Sequence, residues 1–377
     1  MKLLGEDIFD GNRFLGPGKV LITATDGTIE GIVNKSEAGE NVQEIPGILC
    51  PGFINTHCHI ELSHMKGVIP EKTGLPAFLR GVMTQRGNDP IQQHDAMVKA
   101  VEDMREAGIV AVGDISNTDT SAVIKSQQAL YYHTFVESTG FIEAFANQRF
   151  QGAQVVYQAF RDAGLPATIV PHAPYSVSGA LFQQIAGFEQ QGPLSIHNQE
   201  CPAEDQLYAS KSGEFLDFFQ FFGINIDAFQ PTGKSSLQSY LPYFTGRDKM
   251  LLVHNTCTHP QDVQFAKSLP LQLFWVLCIN ANLYIEGKVP PIDMFREMGC
   301  TLTLGTDSLA SNHTLSIWEE IKSIQQHFPH IDLAEILQWA TKNGAEALDI
   351  ANTYGSFEIG KKPGIIAIHN NNITHIR

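Results

Sequence analysis

Along this chain, short runs rich in Val, Ile and Leu alternate with stretches whose apolar residues recur every three or four positions. The first pattern predicts strands and the second amphipathic helices. Eight strand-like runs stand out: FINTHCH (53–59), IVAVGD (109–114), YYHTFVE (131–137), ATIVPHA (167–173), LSIHN (194–198), LLVHN (251–255), LFWVLCIN (273–280) and TLTLGTD (301–307). Between them lie helical patterns such as DAMVKAVEDMREAG. There Met97, Val101 and Met104 share a face, and Gly108 suits the position just past a helix end. LSIWEEIKSIQQHF and LAEILQWATKNGAEALDI add two more helical stretches after the eighth run. Eight strand–helix alternations over about 260 residues match an α/β fold of the (β/α)8 TIM-barrel type. A doubly wound open sheet is the alternative.

The two ends of the chain follow another rhythm. Within residues 1–48, KVLITATDGTIEGIV holds two short apolar runs around Asp26-Gly27, a hairpin signal. The tail GSFEIGKKPGIIAIHNNNITHIR returns to β-like composition. The simplest use of both ends is a small β-sandwich-like domain assembled from residues 1–48 and 351–377, with the barrel spanning 49–350.

With 377 residues, 43% of them hydrophobic and 17% charged, the chain can bury a large core. Its net charge of -15 disfavours nucleic acid and anionic membranes as partners, since both would repel it. Six scattered cysteines without a C-x-x-C pair suit reduced thiols rather than a disulfide framework. The N-terminus, MKLLGEDIFDGN, lacks the apolar core of a signal peptide, and no run approaches the ~18 apolar residues of a membrane span. The expectation is a soluble cytoplasmic protein.

Candidate chemistry begins in PGFINTHCHIELSH, residues 51–64. Residues two apart in a strand share a face, so His57 and His59 present their imidazoles together. Two ligands do not make a tight metal site, but the remaining strands offer more. His172, His197, His254 and Asp307 also end apolar runs. Strand ends converge on one face of a (β/α)8 barrel, so ligands from several strands can meet there. Glu200, three residues past His197, places a carboxylate at the same mouth.

The combination of H-x-H, H-x-x-E, a later histidine and G-T-D-S resembles the amidohydrolase superfamily. The likeness runs through PGFINTHCH, PHAPYSVS, HNQE, VHNT, NANLYIEG, GTDSLASN, ATKNGAEAL and GSFEIGKKPG. It is greatest to the mononuclear-metal aminohydrolase branch, which holds cytosine deaminase, the adenosylhomocysteine and methylthioadenosine deaminases and the triazine hydrolases. HCHIELSH and GTDSLASN look most like aminofutalosine-type deaminases. The sequence departs from the family's usual pattern at Cys278-Ile279 and at Lys362-Pro363-Gly364.

The resemblance implies that His57, His59, His197 and Asp307 bind one divalent metal ion. Zinc is the default, with iron and manganese also suited to such ligands. It further implies that Glu200 shuttles protons, His254 orients the water, Asp307 takes its proton and His172 touches the substrate. The implied reaction hydrolyses a C–N bond other than a peptide bond, deaminating an adenine-like nucleoside or related N-heterocycle through a metal-activated water. Hydrolysis of a cyclic amide, or displacement of a ring halide or amine, is the alternative on the same site. Homo-oligomers such as dimers are common in the family, and the sequence offers no direct sign of one.

Other polar and aromatic features read more plainly. Glu61 shares strand parity with His57 and His59, but pairing with His64 or Lys66 is the expectation. Glu137 could bridge a second metal, yet no lysine ends the third or fourth strand to complete such a site. PTGKSS (231–236) lacks the glycine that a phosphate loop needs at position 228, which is Ala228. FLDFFQFFG (215–223) reads as packing against the barrel, with part of it a possible lid. GLPAFLRGVMTQR (74–86) should overhang the site, with Arg80 and Arg86 as solvated helix charges.

Overall fold

The computed structural model describes residues 1–87, 89–127 and 129–377. All eight apolar runs form strands. They are β1 (Phe53–Cys58), β2 (Ile109–Ser116), β3 (Tyr131–Ser138), β4 (Ala167–Pro171), β5 (Leu194–Asn198), β6 (Lys249–His254), β7 (Gln272–Leu277) and β8 (Thr301–Leu304). β1 to β4 pair in parallel, each with the next, and β5 to β8 do the same in a second sheet. The strands are buried almost throughout, which is why they read as continuous apolar runs rather than alternating ones.

Hydrogen bonds link the two sheets on both sides. Cys58 forms a parallel bridge with Asp307, and the backbone N–H groups of Thr306 and Asp307 donate to His57 O at 3.0 and 3.1 Å. On the other side, His197 N donates to His172 O at 2.9 Å, and Thr168 Oγ1 donates to Pro193 O at 2.9 Å.

Helices cover the sheets for reasons visible in their sequences. Pro90–Glu106 starts at the Asp89 cap, whose side chain accepts from Ile91 N and Gln92 N. It buries Met97, Ala100, Val101 and Met104 on one face, and Gly108 follows its end at φ +82°. Ile317–His327 is capped by the Ser316 side chain. No helix among the described residues is long and apolar enough to cross a membrane.

Both chain ends contribute to two further sheets. Ile48–Pro51 pairs antiparallel with Ile365–His369, which also pairs with Asn372–His375, while Asp7–Ile8 takes the other edge. Lys19–Thr23 and Ile29–Asn34 form an antiparallel pair across Asp26-Gly27, where Gly27 has φ +93° and Asp26 Oδ1 accepts from Thr28 N. Leu3, Leu21, Leu49, Phe357 and Ile365 meet in one small apolar cluster, so residues from both ends share a core.

One difference from the sequence reading bears on function. The apolar runs 167–173, 273–280 and 301–307 extend beyond the paired strands, which stop at Pro171, Leu277 and Leu304. The backbone turns at the strand ends instead: Asp307 has φ +56° and His254 φ +75°. Such left-handed geometry is costly for residues with a side chain and concentrates at functional sites.

Candidate active site

The strand ends bring the proposed ligands into one buried cluster. His57 Nε2 lies 3.2 Å from His59 Nε2, and the two are 3.5 and 3.3 Å from Asp307 Oδ1. Those three atoms make a triangle with nearly equal edges. A tetrahedral zinc ion with bonds of about 2.1 Å spaces its ligands by about 3.4 Å, so the triangle matches one face of its coordination shell. Nitrogens of His57, His197 and His254 also come within 4.8 Å of one another. His57 Nδ1 and His197 Nε2 are buried without a hydrogen-bond partner.

Electrostatics point the same way. Burial pushes the His57 and His59 pKa values down, so both imidazoles are neutral near pH 7. Burial would raise the Asp307 carboxyl, but the hydrogen bond from His57 and the neighbouring imidazoles outweigh it and hold it well below its usual range. His57 and His59 therefore present neutral nitrogen donors beside the Asp307 carboxylate. A cation suits that donor set.

Glu200 and His254 stand next to it. Burial, reinforced by Asp307, Glu204 and Glu286, raises the Glu200 carboxyl well above its ordinary value and so favours its protonated form. Its Oε1 is 3.7 Å from His254 Nε2. Burial lowers His254 to about 4, leaving it neutral. Its Nδ1 sits 2.8 Å from Asn282 Oδ1, while Asn282 Nδ2 donates back to His254 O at 3.3 Å. The pairing puts the His254 proton on Nδ1 and leaves Nε2 as an acceptor.

Across the cluster, His172 Nδ1 lies 2.6 Å from Ser176 Oγ, and burial lowers its pKa to about 4. Glu137, His172 and His197 form a second group of close donor atoms. Burial would raise Glu137, but His172, His197 and His59 together draw it below the usual carboxylate range. Two buried carboxyls thus flank the cluster with their pKa values pushed in opposite directions, Glu200 up and Glu137 down.

Above these groups opens a cavity of about 550 Å³. His59, His172, His197, Glu200, His254 and Asp307 line its floor; Phe78, Leu79, Val82, Phe218, Phe219 and Ile224 are among its walls. The first three wall residues come from helix Leu75–Gln85 or its neighbourhood, as expected for a segment overhanging the site. The aromatic run becomes helix Phe215–Phe221, which buries Phe215 and Phe219. It packs and lines the cavity at once. Arg86 also lines the cavity, while Arg80 lies over the Phe221 ring at 5.0 Å.

Glu61 requires a correction. It pairs with neither His64 nor Lys66. The 3-10 turn Ile60–Met65 carries it inward, where it accepts from Asn117 N, Thr118 N and Thr118 Oγ1 and meets Arg86 at 3.4 Å. A buried carboxylate takes backbone donors that water can no longer supply. His64 Nε2 lies 2.6 Å from Arg86 O instead.

Several supporting residues lacked a role in the sequence reading. Asn282 fixes His254, and Ser311 donates to Asp307 Oδ2. Asn55 pairs with Thr306 through two hydrogen bonds, locking β1 to the turn that carries Asp307. Asp114 accepts from Ile60 N at 2.9 Å, just past His59, and is itself paired with Lys125 at 2.7 Å. The signal available was polarity where apolar residues dominate: Asn55, Asp114 and Asn282 are all fully buried.

A family model for the amidohydrolase family matches residues 48–214 and 221–376. The chain belongs to the amidohydrolase family. An adenosine deaminase from Helicobacter pylori is 26% identical over 323 residues, 84% of this chain and 77% of that protein. Among solved structures, H. pylori aminofutalosine deaminase in complex with methylthio-coformycin has a TM-score of 0.84 at 23% identity, over 98% of this amidohydrolase and 92% of that chain. An adenosine deaminase from Xanthomonas campestris with bound zinc gives 0.74 at 19% identity, over 97% and 84%.

Proposed function

We propose that this amidohydrolase is a metal-dependent aminohydrolase that removes an exocyclic amine from an adenine-like nucleoside or related heterocycle. One observation carries the reading: His57, His59 and Asp307 converge with edges of 3.2–3.5 Å on the cavity floor, with Glu200 and His254 beside them, 3.7 Å apart. The relatives support it, being named deaminases of adenosine and aminofutalosine. The scaffold reads as one closed (β/α)8 barrel over residues 49–350, supported by the hydrogen bonds across both seams. Residues 1–48 and 351–377 form its small β-sandwich-like companion, supported by their shared apolar cluster.

His57, His59, His197 and Asp307 would hold one divalent ion. Zinc is the default, supported by the zinc in the X. campestris deaminase; iron and manganese accept the same donors. When bound, the ion acidifies water and polarises the attacked bond. The chain's own groups supply the rest. His254 Nε2, an acceptor fixed from behind by Asn282, orients the attacking water through one O–H. Glu200 gives its proton to the ring nitrogen beside the attacked carbon, making that carbon more electron-poor. Asp307, ionised, takes a proton from the water and returns it to the leaving amine. Ammonia departs, and Glu200, left ionised, takes the remaining proton from the new C–OH group, so that a ring carbonyl forms and the acid is restored. His172, on the opposite wall, contacts the bound substrate.

Ammonia release from adenosine, 5'-deoxyadenosine, 5'-methylthioadenosine, cytosine, guanine and triazines, with zinc-loaded protein, tests the proposal. Turnover of an adenosine-type substrate that falls at least 100-fold in Glu200→Gln is the expected result. Silence across the panel at full metal occupancy would rule the reading out and direct the search to cyclic amides and ring halides.

A further inference from the structure

Glu137 has no part in the proposed deamination steps. It lies near the end of β3, lines the cavity, and its side chain is only 4% exposed. Its Oε2 accepts from Asn117 Nδ2 at 2.9 Å. Its Oε1 is buried and has no hydrogen-bond partner; His197 Nε2 comes nearest, at 3.5 Å. No lysine or arginine among the described residues lies within ion-pair distance of it. A carboxylate is acceptor-only, and a buried acceptor left unpaired is costly. The missing donor is either His197 Nε2 or a group of whatever fills the cavity.

Its position says which part of a ligand it meets. His254 Nε2 is 3.7 Å from Glu200 and 3.1 Å from His197 Nδ1, whereas Glu137 approaches the other nitrogen of the His197 ring, Nε2, at 3.5 Å. A heterocycle held with its reacting edge at Glu200 and His254 therefore carries its remaining substituent towards Glu137. We infer, resting on the nucleoside reading, that Glu137 binds the vicinal hydroxyls of a ribose and selects ribonucleosides over deoxy forms. Each hydroxyl donates its O–H to the carboxylate, with Asn117 fixing the carboxylate from behind. The competing role is to position His197 by accepting its Nε2 proton.

The two roles separate in one experiment. Ammonia release is compared for the most active nucleoside of the panel above and its 2',3'-dideoxy counterpart, with zinc-loaded wild-type protein and Glu137→Gln. The expected wild-type preference for the ribose form is about 100-fold or more in kcat/KM, since a site built to bond a hydroxyl rejects ligands lacking it. Glu137→Gln should raise KM for the ribose form at least tenfold, leave the dideoxy form nearly unchanged and keep one zinc per chain. An equal loss on both substrates, or loss of zinc, would overturn the inference in favour of a residue that positions His197. Should Glu137→Gln not fold, the wild-type preference and Glu137→Asp decide it: equal wild-type rates on both substrates overturn the assignment while the deaminase reading survives. A wild type silent on every nucleoside overturns both.

Discussion

At the floor of the cavity, the candidate side chains sit at or just past strand ends, and some are held from behind. Asn282 holds His254, Ser311 holds Asp307, and Asn55 ties β1 to the turn before Asp307. At the rim, the walls come from helices Leu75–Gln85 and Phe215–Phe221, where apolar contact replaces hydrogen bonding and Met83 and Phe221 reach 58% and 56% exposure. The floor tolerates little displacement because imidazole and carboxylate ligands must meet within tenths of an ångström. The rim needs only shape and apolarity. Chemistry is fixed at one level and ligand choice is adjusted at the other.

Removing a floor ligand should have the largest effect. Asp307→Asn is expected to abolish stoichiometric zinc binding and lower kcat/KM by more than the ~10–100-fold typical of outer-shell changes. Metal analysis with ammonia release checks it. Retained zinc and activity would remove Asp307 from the floor altogether.

Next comes the buried pair that anchors the H-x-H strand. Lys125 and Asp114 are both fully buried, 2.7 Å apart, and Asp114 also receives Ile60 N. Lys125→Met leaves that carboxylate uncompensated, at a cost of about 3–5 kcal/mol. Denaturant unfolding measures it. A loss under about 1 kcal/mol would mean that the floor does not depend on this pair.

Asn282→Ala should reduce kcat by ~10–100-fold with zinc still bound, because His254 loses the acceptor that fixes its tautomer. A drop in kcat without a shift in metal content distinguishes support from ligation.

Glu204, behind the floor, sharpens the comparison through pH. Burial, reinforced by Asp205, raises it to about 8; Oε1 accepts from Gln199 N and Ser236 Oγ, while Oε2 has no partner. From about pH 4.5 to 8 the folded chain holds a proton that the unfolded chain has released. Folding stability therefore falls as pH rises through that window. Glu204→Gln should flatten this part of the Tm-against-pH curve; a wild-type curve parallel to the variant's would refute the assignment.

The smallest effect belongs to the rim. Phe218→Ala should change KM less than tenfold and leave zinc content and kcat almost untouched. A collapse of kcat would show that the rim closes over the reaction rather than merely shaping its entrance.

Much of this was legible in the chain. The strands were readable because burial on both faces leaves continuous apolar runs, as in LLVHN and LFWVLCIN. The convergence of the proposed ligands was readable because histidine and aspartate rarely end such runs without a reason. Glu61 misled because its partners, the backbone of Asn117 and Thr118 and the Arg86 side chain, are far along the chain. Asn282 and Asp114 passed unnoticed since nothing local tells a buried polar anchor from a solvated one.

Sequence alone determined the alternation of strands and helices, the acidic balance and the positions of His57, His59, His197, His254 and Asp307. These are local facts, set by period and residue type. Tertiary structure decided which oxygen is protonated, which imidazole is fixed from behind and which carboxylate is left facing the cavity. Glu200 and Glu137 are the same residue type, and although the H-x-x-E spacing marks Glu200, neighbouring sequence does not say which way either pKa moves. Glu200 is desolvated beside other acids, which raises its pKa, whereas the imidazoles around Glu137 lower its own. A carboxyl's state depends on charges that folding brings close, and those charges come from other strands.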